Sequence, residues 1–134
     1  VAALALGADA ILSGTRFMNT AECRIHNNIK ETLITARETD TAIIQKSIGS
    51  ATRVLKNDWA DRILELERRG TTLEELIPYI SGKRSARAWL NGEEDAVLAC
   101  GQVVGRSDKT LPIKALVNQI MTEAGAVKER IAAL

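Results

Sequence analysis

The stretch of this sequence best equipped for chemistry lies near its start, Asp9-Ala10-Ile11-Leu12-Ser13-Gly14-Thr15-Arg16-Phe17. An apolar, helix-like run from Val1 to Leu6 ends at Gly7, residues 10–13 read as a brief strand, and a helix is predicted to begin at Asn19. Gly14-Thr15 therefore falls in the loop of a strand-to-helix step. Such a loop turns main-chain N–H groups outward, and the start of a helix adds partial positive charge. Together they suit a phosphate. A tight strand-to-helix turn explains the same two residues without any ligand. If a phosphate does sit there, glycine at 14 spares it a side chain and permits backbone angles that a β-branched residue resists.

Other residues offer less. Gly82-Lys83-Arg84-Ser85-Ala86-Arg87 is the densest basic stretch, readable as an anion contact or as a solvated loop entering a helix. Gly101 and Gly105 interrupt the apolar run Cys100-Gly101-Gln102-Val103-Val104-Gly105. Glycines so spaced are costly in a helix and suggest a bend or a close backbone approach. His26 is the single histidine, so metal clusters built on His and Ser-His-Asp triads have little to draw on. It reads as a water-facing residue of a helix. Cys23 and Cys100 lie far apart and outside any metal spacing, and read as reduced, inert thiols.

Composition narrows the classes. Eighteen Lys+Arg against seventeen Asp+Glu leave a net charge of +1, without the basic excess expected for nucleic acid or an anionic membrane. Aromatic content of 3% leaves little for stacking bases. The 46% hydrophobic fraction suits a folded soluble protein, and 134 residues suit one modest domain. Val1–Leu6 has no basic run before it, and Asp9 cuts the apolar stretch well short of a membrane span. A soluble, cytoplasmic protein is expected. The absence of an initiator Met and a start inside a helix suggest a fragment.

The elements that must position these residues are mostly helical. Asn19-Thr20-Ala21-Glu22 has the form of a capping box, opening a helix to about Glu38 along Ile25, Ile29, Leu33 and Ala36. Ala42-Ile43-Ile44 suggests a second short extended segment before a turn at Gly49-Ser50. A helix from Asn57 or Asp58 to Arg69 places Trp59, Ile63 and Leu66 on one face, with Gly70 after its end. Thr72-Leu73-Glu74-Glu75 is a cleaner capping box, starting a helix along Leu73, Leu76 and Ile77 that Pro78 should end or kink. Asn91-Gly92 closes the helix after the basic stretch, and Glu93-Glu94-Asp95 should occupy the first turn of another. Leu111-Pro112 opens a last helix whose stripe, Ile113, Leu116, Ile120, Val127, Ile131 and Leu134, is expected to dock on the core.

LALGADAILSGTRF closely resembles the closing strand of the nitronate monooxygenase (2-nitropropane dioxygenase) family, FMN-dependent (β/α)8 barrels with FMN-dependent enoyl-ACP reductases as close relatives. Asp40-Thr41 and the run NGEEDAVLACGQVVG follow in the family's order, so the resemblance covers nearly the whole chain. It implies that the end of the last barrel strand holds the flavin phosphate through main-chain groups of Leu12, Ser13, Gly14 and Thr15. The family often has Gln where Leu12 stands, which removes any side-chain contact from that position. The resemblance also implies that Gly101 and Gln102 lie near the flavin or the substrate entrance. The family's catalytic His and the Gly loop of strand seven fall upstream, so no catalytic residue is assigned within this segment.

One strand, about 9–13, cannot pair its N–H and C=O groups alone, and a barrel needs eight. The expected fold class is therefore α/β: the C-terminal fragment of a (β/α)8 TIM barrel, mostly helical, with residues 1–134 forming one portion of a single FMN-binding domain. Its partners would be the remaining N-terminal barrel half, an alkyl nitronate and O2. The fragment alone is expected neither to hold FMN tightly nor to turn over. A reductase of the same fold is the first alternative; a non-catalytic helical interaction module is the alternative of another class.

Overall fold

Thr41–Ile44 (β1) and Thr52–Leu55 (β2), both rich in β-branched residues, pair antiparallel in a computed structural model that describes residues 1–134. The register sets Thr41 opposite Leu55 and Ile44 opposite Thr52. The loop between them contains Gln45 and Gly49, both at positive φ (63° and 72°). The second edge of β2 is not bare. Leu55 N–H donates to Leu98 O at 2.8 Å, Cys100 N–H donates to Arg53 O at 3.2 Å, and Val54 bridges Ala99 antiparallel. The acidic run 93–95 therefore leads into an extended segment, not the helix expected there.

This three-ply ribbon separates two cores. Neighbouring residues of a strand face opposite ways. Leu55 and Leu98 join Ile29, Leu33, Ala88 and Val104 on one side, while Val54 and Val97 join Ile44, Ala60, Ile63 and Leu76 on the other. Extended geometry at 96–98 lets Ala96, Val97 and Leu98 serve both cores, which one face of a helix would not allow.

The helices around the ribbon are α1 (Ala2–Ala5), α2 (Thr15–Met18), α3 (Asn27–Thr35), α4 (Asp58–Arg68), α5 (Leu73–Ile80), α6 (Gly82–Asn91) and α7 (Ile113–Ala132), with a 3-10 helix at Gln102–Arg106. Caps explain the middle ones. Asn57 Oδ1 accepts from Ala60 N–H at 2.8 Å at the start of α4. Thr72 and Glu75 form the expected capping box of α5. Pro78 lies inside α5, and the helix runs on only to Ile80. Without an N–H, Pro78 leaves Glu74 O lacking its usual donor, consistent with a helix that ends two residues later.

Several expectations are corrected. No helix starts at Asn19: α3 begins at Asn27, capped by His26, whose Nδ1 accepts from Asn28 N–H. Glu22 serves another helix, its carboxylate accepting from Ile113 N–H at 2.9 and 3.1 Å at the start of α7. Residues 10–13 form no ladder and are exposed, so the core strand expected at about 9–13 is absent. The chain's one sheet is the hairpin, and no strand lies beside residues 10–13 to pair them. Of the α7 stripe only Leu116 is buried; Ile113, Ile120, Ile131 and Leu134 are exposed. A 20-residue helix is about 30 Å long, and only Leu116, near its start, is covered. In α5, likewise, Leu76 is buried while Leu73 and Ile77 face outward.

Candidate functional site

Gly14 sits at the N-terminal end of the single-turn helix α2, and Phe17 N–H closes that turn onto Gly14 O at 2.9 Å. No backbone hydrogen bond engages the N–H groups of Ser13, Gly14, Thr15 or Arg16. They are the orphan donors that any helix start leaves. A Cβ placed on Gly14 would meet nothing within 4 Å, so the space beside the turn at position 14 is open. The turn is compatible with a phosphate: several unpaired N–H groups, an uncrowded Gly14 and no carboxylate hydrogen-bonded to them. The backbone reason expected for glycine does not hold. Gly14 has φ −103° and ψ −75°, with φ in a range other residues adopt, so its value lies in the space it leaves.

The turn is fastened from below. Thr15 is buried and its Oγ1 accepts from Gly101 N–H at 2.8 Å, joining residues 86 apart in sequence. Arg16 Nη1 donates to the Oγ of buried Ser107 at 3.2 Å. Thr20 Oγ1 donates to Phe17 O at 2.8 Å, and Lys30 Nζ donates to Thr20 O at 2.7 Å. Asn19, next to Thr20, is buried with neither its Nδ2 nor its Oδ1 hydrogen-bonded.

The structure thus brings Gly14, Thr15 and Gly101 together. Leu12 and Ser13 lead into the turn and are exposed. Gln102 begins the 3-10 helix beside Gly101, also exposed, and its side chain makes no hydrogen bond. Glycine at 105 has a clear steric cause: a Cβ there would lie 2.5 Å from Glu38 Oε2 and 2.7 Å from Glu38 N. Sequence reasoning missed Lys30, Ser107 and Glu22. Lys30 was legible in part, because it stands three residues before Leu33 on the buried face of its helix.

The remaining sites take structural roles. The basic stretch lies on α6, where Arg84 pairs with Asp95 and its guanidinium stacks 3.9 Å from the Trp59 ring. Arg84 is therefore spent on holding α6 to its neighbours. A cleft of about 410 Å³ beside it, lined by Trp59, Arg62, Glu94 and Asp95 among others, shares no residue with the Gly14 turn. Burial pushes the Cys100 thiol up to about 11 against the opposing pull of Arg53, so it stays protonated and unreactive at neutral pH. Both cysteines are free. No helix is long and apolar enough to cross a membrane.

Comparison with known proteins places this geometry in a family. The family model described as nitronate monooxygenase matches residues 1–123. A probable nitronate monooxygenase of Bacillus subtilis (strain 168) is 25% identical over 122 residues, covering 91% of this chain and 35% of that protein. The structure of FabK from Thermotoga maritima superposes with a TM-score of 0.85 at 29% identity, covering 98% of this chain and 42% of that one. A single-substitution mutant of the same FabK gives 0.77 over 39% of its length. The chain therefore spans well under half the length of these relatives, and its fold is that of part of a (β/α)8 barrel, as the resemblance implied.

Proposed function

The chain belongs to the nitronate monooxygenase family, and from that premise we propose that it is the phosphate-gripping portion of an FMN-dependent oxidoreductase. Residues 1–134 would be the C-terminal part of one barrel domain, completed by an N-terminal half that contributes the neighbouring strands and the catalytic residues. The observation that carries the reading is the Gly14 turn, with its unpaired N–H groups, its open space and its fastening to Gly101.

FMN, when bound, would supply the redox chemistry. The chain's own part is binding and placement. Main-chain groups of Leu12, Ser13, Gly14 and Thr15 would hold the phosphate, and the Thr15 hydroxyl, already accepting from Gly101 N–H, would fix the turn's height above the 3-10 helix. Gly101 and Gln102 would then border the flavin from the side. The substrate would be an alkyl nitronate oxidised with O2, in the cytoplasm. The fit to FabK favours a second reading on the same barrel, an FMN-dependent enoyl-ACP reductase. The family match across residues 1–123 weighs against a non-catalytic helical module.

Replacing Gly14 with Val in the complete barrel tests the reading. The new side chain would crowd the turn that presents the donors, and FMN affinity should fall by about tenfold or more, with thermal stability unchanged. Full flavin occupancy in that variant, read from its visible absorbance after dialysis, would place the phosphate elsewhere.

A further inference from the structure

We propose that Asn91-Gly92 is a modification site: Asn91 converts slowly to aspartate and isoaspartate, the last turn of α6 sets the rate, and the product loosens the junction of α6 with α3. Of the six asparagines, only Asn91 is followed by glycine. The reaction needs water and nothing else. The main-chain nitrogen of Gly92 attacks Asn91 Cγ, and the new C–N bond closes a succinimide ring as the Cγ–Nδ2 bond breaks. The amide nitrogen leaves as ammonia, taking the proton that Gly92 N gives up. Water then opens the ring at either carbonyl, giving aspartate or, with the main chain rerouted through the side chain, isoaspartate. A bulky following residue would crowd the attack, and glycine has no side chain to do so.

The structure supplies both the opening and the brake. Asn91 is exposed and ends α6, with Gly92 beyond it at φ 77°. Its Nδ2 donates to Glu93 Oε1 at 3.2 Å, a surface contact that water replaces easily. Glycine is required at 92, because its φ is positive and a Cβ there would collide with the His26 ring. By contrast, Asn57 is held at both ends of its amide, capping α4 and donating to Glu94 O and Ala96 O, and Asn19 is buried. The brake is the helix. Gly92 N–H donates to Ala88 O at 2.9 Å, and helical angles at Asn91 hold that nitrogen out of line for attack. Helix ends open more readily than helix middles, so the reaction proceeds from the opened turn. Its product reaches beyond α6. Gly92 packs on the His26 ring, and Trp89 O accepts from His26 N–H at 2.8 Å, which together join α6 to the start of α3. A carboxylate at 91 would face Glu93 instead of donating to it, and isoaspartate would add a carbon to the main chain beside Gly92.

The test ages the complete barrel at neutral pH beside the same protein unfolded in guanidinium chloride, and follows isoaspartate at 91 by peptide mapping. The folded protein should form it about tenfold more slowly than the unfolded chain, because the turn must first open. Leu90 is exposed, so Leu90→Gly weakens the last turn without touching the core. It should raise the folded rate about fivefold and leave the unfolded rate unchanged. Asn91→Gln, whose longer side chain closes the ring far more slowly, should abolish the product. In converted protein the His26 N–H should exchange with solvent faster than in fresh protein. Absence of isoaspartate at 91 in the folded protein, once the unfolded sample has fully converted, overturns the proposal. So do equal rates in the two samples, a folded rate that Leu90→Gly leaves unchanged, another asparagine converting first in the folded protein, or unaltered exchange at His26.

Discussion

The region from β1 to residue 100 and the first twenty residues are held in place by different physics. In the first, apolar side chains close on themselves: Ile44, Val54, Ala60, Ile63 and Leu76 pack with neighbours drawn from β1, β2, α4, α5 and the 96–98 segment. Helix starts there are capped locally, by Asn57 and by the Thr72–Glu75 box. In the second, nothing before Thr15 is buried, and polar contacts from α2 to Gly101 and Ser107, with Lys30 holding Thr20 just beyond it, work alongside the packing of Met18 on the core. The difference teaches that this chain keeps its stability and its proposed chemistry apart. One region satisfies its own groups; the other leaves N–H donors and apolar side chains free for something outside it.

Ile63→Ala probes the self-closed region hardest. Ile63 is fully buried, so a cavity there should cost about 3 kcal/mol in urea unfolding, while the preference for FMN over riboflavin in the folded fraction stays as in wild type. A changed preference would mean the two regions are coupled. Gly105→Ala probes the seam between them, where the 3-10 helix backs onto Glu38. The added Cβ collides with the backbone of 37–38, so a loss of about 2 kcal/mol is expected, together with weaker FMN binding because Gly101 and Ser107 flank this helix. Loss of stability without any change in binding would show that Thr15 needs less from the 3-10 helix than its bond to Gly101 suggests.

The smallest effect should come from Glu67, which latches the hairpin loop to α4. Its carboxylate accepts from Gln45 N–H at 2.9 Å and from Ser47 N–H and Oγ, both at 2.8 Å. Partial burial pushes this carboxyl up, but the hydrogen bonds from Ser47, Gln45 and Lys46 outweigh it and leave it below the ordinary 4.5. A lowered carboxylate contributes stability above 4.5, and that contribution is lost as pH falls through the lower folded value. Glu67→Gln should therefore cost about 1 kcal/mol at neutral pH, since the site is partly solvated, and should flatten the acid limb of the stability curve. An unaltered acid limb would show that the latch does not titrate with folding.

Local signals were legible where a short window contains the whole cause. The Thr72–Glu75 box, the Asn57 start of α4, the positive-φ glycines at 70 and 92, and the extended run 41–44 all came from neighbours in sequence. Asn19–Glu22 misled because a capping box and a carboxylate reaching a distant helix share one spelling; only the packing of α7 sends Glu22 to Ile113. The acidic run 93–95 misled for a similar reason. Its helix signal is real but weak, and burial of Ala96, Val97 and Leu98 on both faces of the ribbon outweighs it. At the site, Gly14 and Thr15 were readable from the turn they spell, and Gly101 from its cost inside an apolar run, but their meeting across 86 residues was not.

By itself, then, the sequence determined the family, the barrel fold class, most helix starts and the position of the loop with spare donors, because each is written in adjacent residues. Only the tertiary structure decided what lies beneath that loop, down to a buried lysine holding a carbonyl one turn away. Those partners are remote along the chain, and remote pairings are chosen by the free energy of burying whole surfaces together, which no local window contains.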